Sequence, residues 1–166
     1  PAGEEEAYLS FDDGPDDEIT PRLLDWLGER GLHATFFCVG KQVERHPVVF
    51  ERIVREGHAV GNHTYSHPDG WRTPLQAYLA DVERAHRLLN TPLFRPPYGR
   101  LTPAQMKALK KRFTIVMWDL MPGDYEQGLA LHTLDHRLQR HLAGGSLVVG
   151  HASHSPLRTH LHHPER

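Results

Sequence analysis

At 166 residues, with 39% hydrophobic and 24% charged side chains, the chain is long enough for one domain to bury a core, and its composition is that of a soluble globular protein. A formal net charge of -2 leaves no basic footprint for nucleic acid and no polybasic anchor, and no apolar run approaches the roughly 20 residues a membrane helix needs. A single cysteine, Cys38, excludes an internal disulfide and a thiolate metal cluster; it lies in the apolar run 34–39 and reads as core.

Short apolar runs alternate with amphipathic stretches, the pattern of a βα architecture. Residues 1–6 are small and acidic, unlike a signal peptide, so export is neither shown nor excluded. Residues 7–11 read as the first strand. Thr20-Pro21 starts a helix, with threonine as cap and proline at the first position, and Gly31 stops it. Residues 34–39 form the second strand and 47–56 the second helix, ended by Gly57. A third strand covers 58–62. Thr73-Pro74 opens a helix to about Leu89, a short strand follows at 93–95, and Thr102-Pro103 caps a helix to about Lys111. Strands at 113–118 and 146–150 flank a last helix at 131–142. These are about six βα steps in one domain, 1–166, with 1–6 and 153–166 as peripheral tails. Parallel strands joined by helices give an open doubly wound sheet or a barrel. Between the first strand and its helix stands Asp12-Asp13-Gly14-Pro15-Asp16-Asp17, whose charge repels phosphate, so a nucleotide-binding reading is poor.

The polar clusters fall where strands end: Asp12 and Asp13, His63 and His67, Arg95 to Gly99, Asp119 and Asp124, and His151. In a parallel βα fold these positions open on one face, so distant segments are expected to converge on one pocket. His63 and His67, four apart, present both imidazoles on one side of a helical turn; with a carboxylate they suit zinc and leave coordination positions open. The alternative is two surface histidines on a loop. Adjacent carboxylates such as Asp12 and Asp13 need a cation or a shared proton. One would ligate the metal and the other act as general base; the alternative is a solvated acidic turn or helix cap. Arg95-Pro96-Pro97-Tyr98-Gly99 is a stiffened loop able to aim a backbone N–H at a developing oxyanion, or a purely structural one, and Arg95 could orient a carboxylate. His151 could serve as general acid with its pKa raised by a carboxylate such as Asp124.

Read together, these segments resemble the polysaccharide deacetylase family, carbohydrate esterase family four. The five segments, in order, are Ser10-Phe11-Asp12-Asp13-Gly14-Pro15, Asn62-His63-Thr64-Tyr65-Ser66-His67, Arg95-Pro96-Pro97-Tyr98-Gly99, Trp118-Asp119 through Asp124-Tyr125, and Leu147-Val148-Val149-Gly150-His151. The resemblance implies a distorted, incomplete (β/α) barrel of parallel strands. It implies one divalent ion, zinc first, on Asp13, His63 and His67. Asp12 would be the general base, held by Arg95, and the Tyr98 N–H would help form the oxyanion hole. Asp124 would tune His151, the general acid. Val149, Tyr125 and Pro96 would line the substrate site. The implied activity is removal of N-acetyl groups from an N-acetylglucosamine-containing polysaccharide, peptidoglycan or chitin-like, outside the cytoplasm. An inactive carbohydrate-binding module and an O-acetyl esterase on acetylated xylan are the competing readings. Three features depart from the family: Tyr125 stands where tryptophan is frequent, His151 is followed by Ala152 rather than aspartate, and no further helix and strand are readable in 153–166. The barrel is therefore expected to be more open than usual, truncated, or closed by a different element.

Overall fold

The computed structural model describes residues 6–117 and 147–152, with side-chain burial described for residues 9–117. Five strands, β1 (Glu6–Asp12), β2 (Thr35–Cys38), β3 (Ala59–Asn62), β4 (Leu93–Phe94) and β5 (Thr114–Ile115), pair in sequence order and all in parallel. Helices α1 (Ile19–Glu29), α2 (Gly40–Arg45), α3 (Pro47–Arg55), α4 (Leu75–Leu89) and α5 (Pro103–Leu109) make the crossovers. Strands that neighbour one another strictly in chain order have no topological switch point, which is the arrangement of a barrel wall rather than of a doubly wound sheet.

The two faces of that wall follow from the period of two along each strand. Leu9 and Phe11, Phe36 and Cys38, and Val60 point to the helices and pack with Leu23, Leu24, Trp26, Leu27 and Ile53. A second cluster, Tyr78, Val82, Phe94, Leu109, Phe113 and Ile115, joins α4 and α5 to the later strands. The alternate residues take the inner face. There Phe37 lies so close to Gly61 that a Cβ on Gly61 would meet its ring at 2.3 Å, so no larger residue fits.

Three local expectations are corrected. Thr20 does not cap α1; Asp16 does, its Oδ1 accepting from the N–H groups of Glu18, Ile19 and Thr20 at 2.9, 2.6 and 3.0 Å. Thr73 does not cap α4 either, because its hydroxyl donates to the Asp69 carbonyl at 2.7 Å. Thr102 behaves as expected, forming a reciprocal capping box with Gln105.

The third correction concerns the last strand. β6 (Leu147–Ala152) lies on the free edge of β1 but runs antiparallel to it, with Leu147 opposite Phe11 and His151 opposite Ala7. The free edge of β1 needs a partner, and an antiparallel ladder satisfies it at least as well as a parallel one. The continuous apolar run that marks 146–150 as a strand carries no information on direction. Its connection, residues 118–146, lies outside the described residues and contains the expected helix 131–142.

Candidate metal centre and catalytic carboxylate

Asp12 and Asp13 stand at the end of β1, and His63 begins the loop after β3. That loop is not the helical turn the four-residue spacing implied. Thr64 and His67 take left-handed backbone conformations, φ 69° and 62°, and the chain doubles back so that both imidazoles face Asp13. Such conformations are costly for non-glycine residues and persist where the surroundings over-determine them. Here Asn62, fully buried, accepts from the Thr64 N–H at 2.8 Å and donates to the Val82 carbonyl at 3.1 Å. Thr64 Oγ1 accepts from the His67 N–H at 3.0 Å. The Asp81 carboxylate on α4 takes the N–H groups of Tyr65 and Ser66 at 2.8 and 2.9 Å and the Ser66 hydroxyl at 2.7 Å. Asn62 was quoted within its motif; Asp81, fourteen residues beyond His67, carried no signal in sequence spacing.

His63 Nε2 and His67 Nε2 approach Asp13 Oδ1 at 3.2 and 3.1 Å, and one ligand atom from each of the three residues lies within 4.8 Å of the others. His63 Nδ1 meets the Arg95 carbonyl at 2.6 Å. A carbonyl only accepts, so Nδ1 carries a proton; in the neutral imidazole Nε2 then turns a lone pair toward the Asp13 carboxylate. Two acceptors at 3.2 Å attract only with a proton or a metal ion between them. A tetrahedral ion with bonds of about 2.1 Å spaces its ligands by about 3.4 Å, close to the distances of the two Nε2 atoms from Asp13 Oδ1. The donor set therefore fits one divalent ion. With a proton in that place, the hydrogen bonds of His63 and then His67 hold the Asp13 carboxyl well below the usual carboxylate range, and a bound cation favours the ionised carboxylate in the same way.

Arg95, 3% exposed at its side chain, runs along the inner face of the wall. Its guanidinium lies 4.1 Å from the centre of the Phe37 ring, and Nε donates to the Val116 carbonyl at 3.2 Å. Nη1 donates to Ser10 Oγ at 3.0 Å and to Asp12 Oδ1 at 2.7 Å. Burial lowers the Arg95 pKa, opposed by the charge of Asp12, yet an arginine stays protonated. Asp12, its side chain 1% exposed, is thus fixed by one oxygen, while Oδ2 is buried without a hydrogen-bond partner among the described residues.

Pro96 and Pro97 lead into a tight turn whose Tyr98 is left-handed, φ 61°. The Gly99 and Arg100 N–H groups are taken by the carbonyls of Pro96 and Pro97, whereas the Tyr98 N–H donates to no backbone carbonyl among the described residues. The Tyr98 ring packs edge-on against His67, centroids 4.9 Å apart. The structure thus brings together Asp12, Asp13, His63, His67, Arg95, Pro96 and Tyr98. It does not bring His151 to them: opposite Ala7, five residues from Asp12 along β1, its backbone lies roughly 16 Å down the strand. Val149 is opposite Leu9, and Asp124 and Tyr125 lie outside the described residues, as do Trp118 and Asp119.

Residues 1–115 match the family model "Polysaccharide deacetylase". A peptidoglycan-N-acetylglucosamine deacetylase of Bacillus cereus is 36% identical over 160 residues, 92% of this chain and 58% of the relative, so the chain spans little more than half of that protein. A chitooligosaccharide deacetylase of Bradyrhizobium is 32% identical over 166 residues, covering 93% of this chain and 74% of the relative. A family 4 carbohydrate esterase from Streptomyces lividans, solved in complex with acetate, superposes with a TM-score of 0.68 at 26% identity, covering 86% of this chain and 90% of that one. The matched span carries every residue of the centre described above, and on that basis the chain belongs to the polysaccharide deacetylase family.

Proposed function

We propose that the protein is a metal-dependent hydrolase that removes acetyl groups from N-acetylglucosamine units of a polysaccharide. The observation that carries this reading is the pair of carboxylates at the end of β1. Asp13 is gathered with two imidazoles, while Asp12, 83 residues from Arg95 in sequence, is clamped by it with one oxygen left over. A binding protein has no need of that leftover oxygen.

Asp13, His63 and His67 would hold the ion, zinc first, which when bound polarises the amide carbonyl and makes water a better nucleophile. Asp12 Oδ2 takes the proton of the attacking water, and Arg95 holds the carboxylate aimed by its other oxygen. The Tyr98 N–H donates to the oxygen that becomes negative as the carbonyl is attacked. The departing amine needs a proton. Asp12 receives one in the first step and can return it, and the family resemblance offers His151 as a separate acid. Its register opposite Ala7 does not support that role.

This register favours a second reading, an O-acetyl esterase, because an alkoxide leaving group depends less on a dedicated acid than an amine does. Acetate release from N-acetylglucosamine oligomers and from acetylated xylan, compared at equal acetyl concentration, decides between them. Preference for the oligomers supports the N-deacetylase, and release from xylan alone replaces it with the esterase. A polysaccharide substrate also implies an extracytoplasmic site of action. Among the described residues no helix is long and apolar enough to cross a membrane.

A further inference from the structure

Trp71 is 63% exposed, an unusual position for the largest apolar side chain, and its backing is built rather than loose. It sits in the short turn Gly70–Arg72, whose N-terminus is capped by Asp69 Oδ1 accepting from the Trp71 N–H at 2.9 Å. Gln105, fully buried, donates to the Gly70 and Thr73 carbonyls at 2.8 and 2.9 Å and so bolts this turn to α5. A Cβ on Gly70 would meet the Arg100 carbonyl at 2.4 Å, so the turn is pressed directly on the one that carries Tyr98. Arg100 spans the seam. It donates to Asp69 Oδ2 at 2.8 Å, and its guanidinium lies 4.5 Å from the Trp71 ring centre and 5.9 Å from that of Tyr98, itself 57% exposed. Tyr98 in turn packs on the metal-ligating His67.

A continuous exposed ledge, Trp71, Arg100, Tyr98, thus leads away from the metal centre. We propose that it binds the sugar residue next to the one being deacetylated. Flat aromatic faces take the C–H face of a pyranose, and the guanidinium edge not spent on Asp69 donates to ring hydroxyls. The ledge is contiguous with the reacting centre and is held in place before substrate arrives, which is what positioning of a chain requires. Trp71 therefore selects for linked sugars over a single one. This rests on the glycan reading of the site.

The test compares N-acetylglucosamine monomer, dimer and hexamer, by acetate release and, independently, by calorimetric binding to the zinc-loaded protein. Trp71→Ala should weaken dimer and hexamer binding and raise their KM roughly three- to tenfold, with little shift for the monomer. Trp71→Phe should recover most of the loss. Val48→Ala, at an exposed position on α3, should change neither. An equal shift for the monomer, no shift for dimer and hexamer, or no recovery by phenylalanine would overturn the ledge. If the wild type binds the hexamer without releasing acetate, the deacetylase reading fails while the binding comparison still decides the ledge.

Discussion

Arg95 Nη1 holds Asp12 Oδ1 at 2.7 Å and leaves Oδ2, the second oxygen of the same buried carboxylate, without a hydrogen-bond partner among the described residues. One oxygen is structural and the other is available for chemistry. Asp12→Asn keeps the shape and removes the base, so kcat should fall by roughly 10²–10⁴ while zinc affinity changes little. Parallel loss of zinc binding and activity would instead place Asp12 among the ligands. Acetate release and zinc titration on one preparation distinguish the two.

Removing the arginine strands a buried carboxylate. Arg95→Ala should cost about 3–5 kcal/mol of stability, as breaking a buried pair does, and lower the denaturation midpoint accordingly. Arg95→Lys should recover only part, because one ammonium cannot reach Ser10, Asp12 and the Val116 carbonyl from the face of Phe37. A lysine variant as stable as wild type would contradict the clamp.

Asp81 touches no proposed ligand atom, yet it holds the N–H groups of Tyr65 and Ser66 between the two histidines. Asp81→Ala should lower zinc affinity about 10–100-fold, the usual effect of removing a group that orients a ligand. Unchanged affinity in a competition titration would mean the left-handed Thr64 and His67 are held by Asn62 and Thr64 alone.

Cys38, 1% exposed on the helix side of β2, has its thiol pushed up by burial and then by the negative charge of Asp12. It should stay protonated through the whole range of stable pH and resist thiol reagents in the folded state. Reaction should begin only at the unfolding midpoint; rapid labelling of native protein would show that the wall opens between β1, β2 and β3.

Much of the centre was legible in the sequence because strand ends in a parallel fold share a face, so Asp12, Asp13, His63, His67 and Arg95 could be gathered without coordinates. The local backbone was less so. A four-residue histidine spacing fits a helical turn and also a loop with two left-handed residues, and only Asn62 and Asp81, acting across the fold, select the second. Thr20-Pro21 and Thr102-Pro103 look alike in sequence. They differ because Asp16 is placed to take three N–H groups ahead of α1, whereas at α5 the partner glutamine sits three residues on. The direction of β6 was not legible, since a short apolar run is the same read either way.

His151 bears on that last point. With β6 antiparallel to β1, His151→Ala should leave kcat within about threefold of wild type; a loss of 10²-fold or more, typical of removing a general acid, would require the histidine at the site and a different course for β6.

The central claim is best tested by acetate release from N-acetylglucosamine oligomers, measured on wild type and Asp12→Asn, each chelator-treated and then zinc-reconstituted. Release is expected only from the reconstituted wild type, with the variant binding zinc but nearly inactive. Release by the chelated protein, or by Asp12→Asn at the wild-type rate, would contradict it.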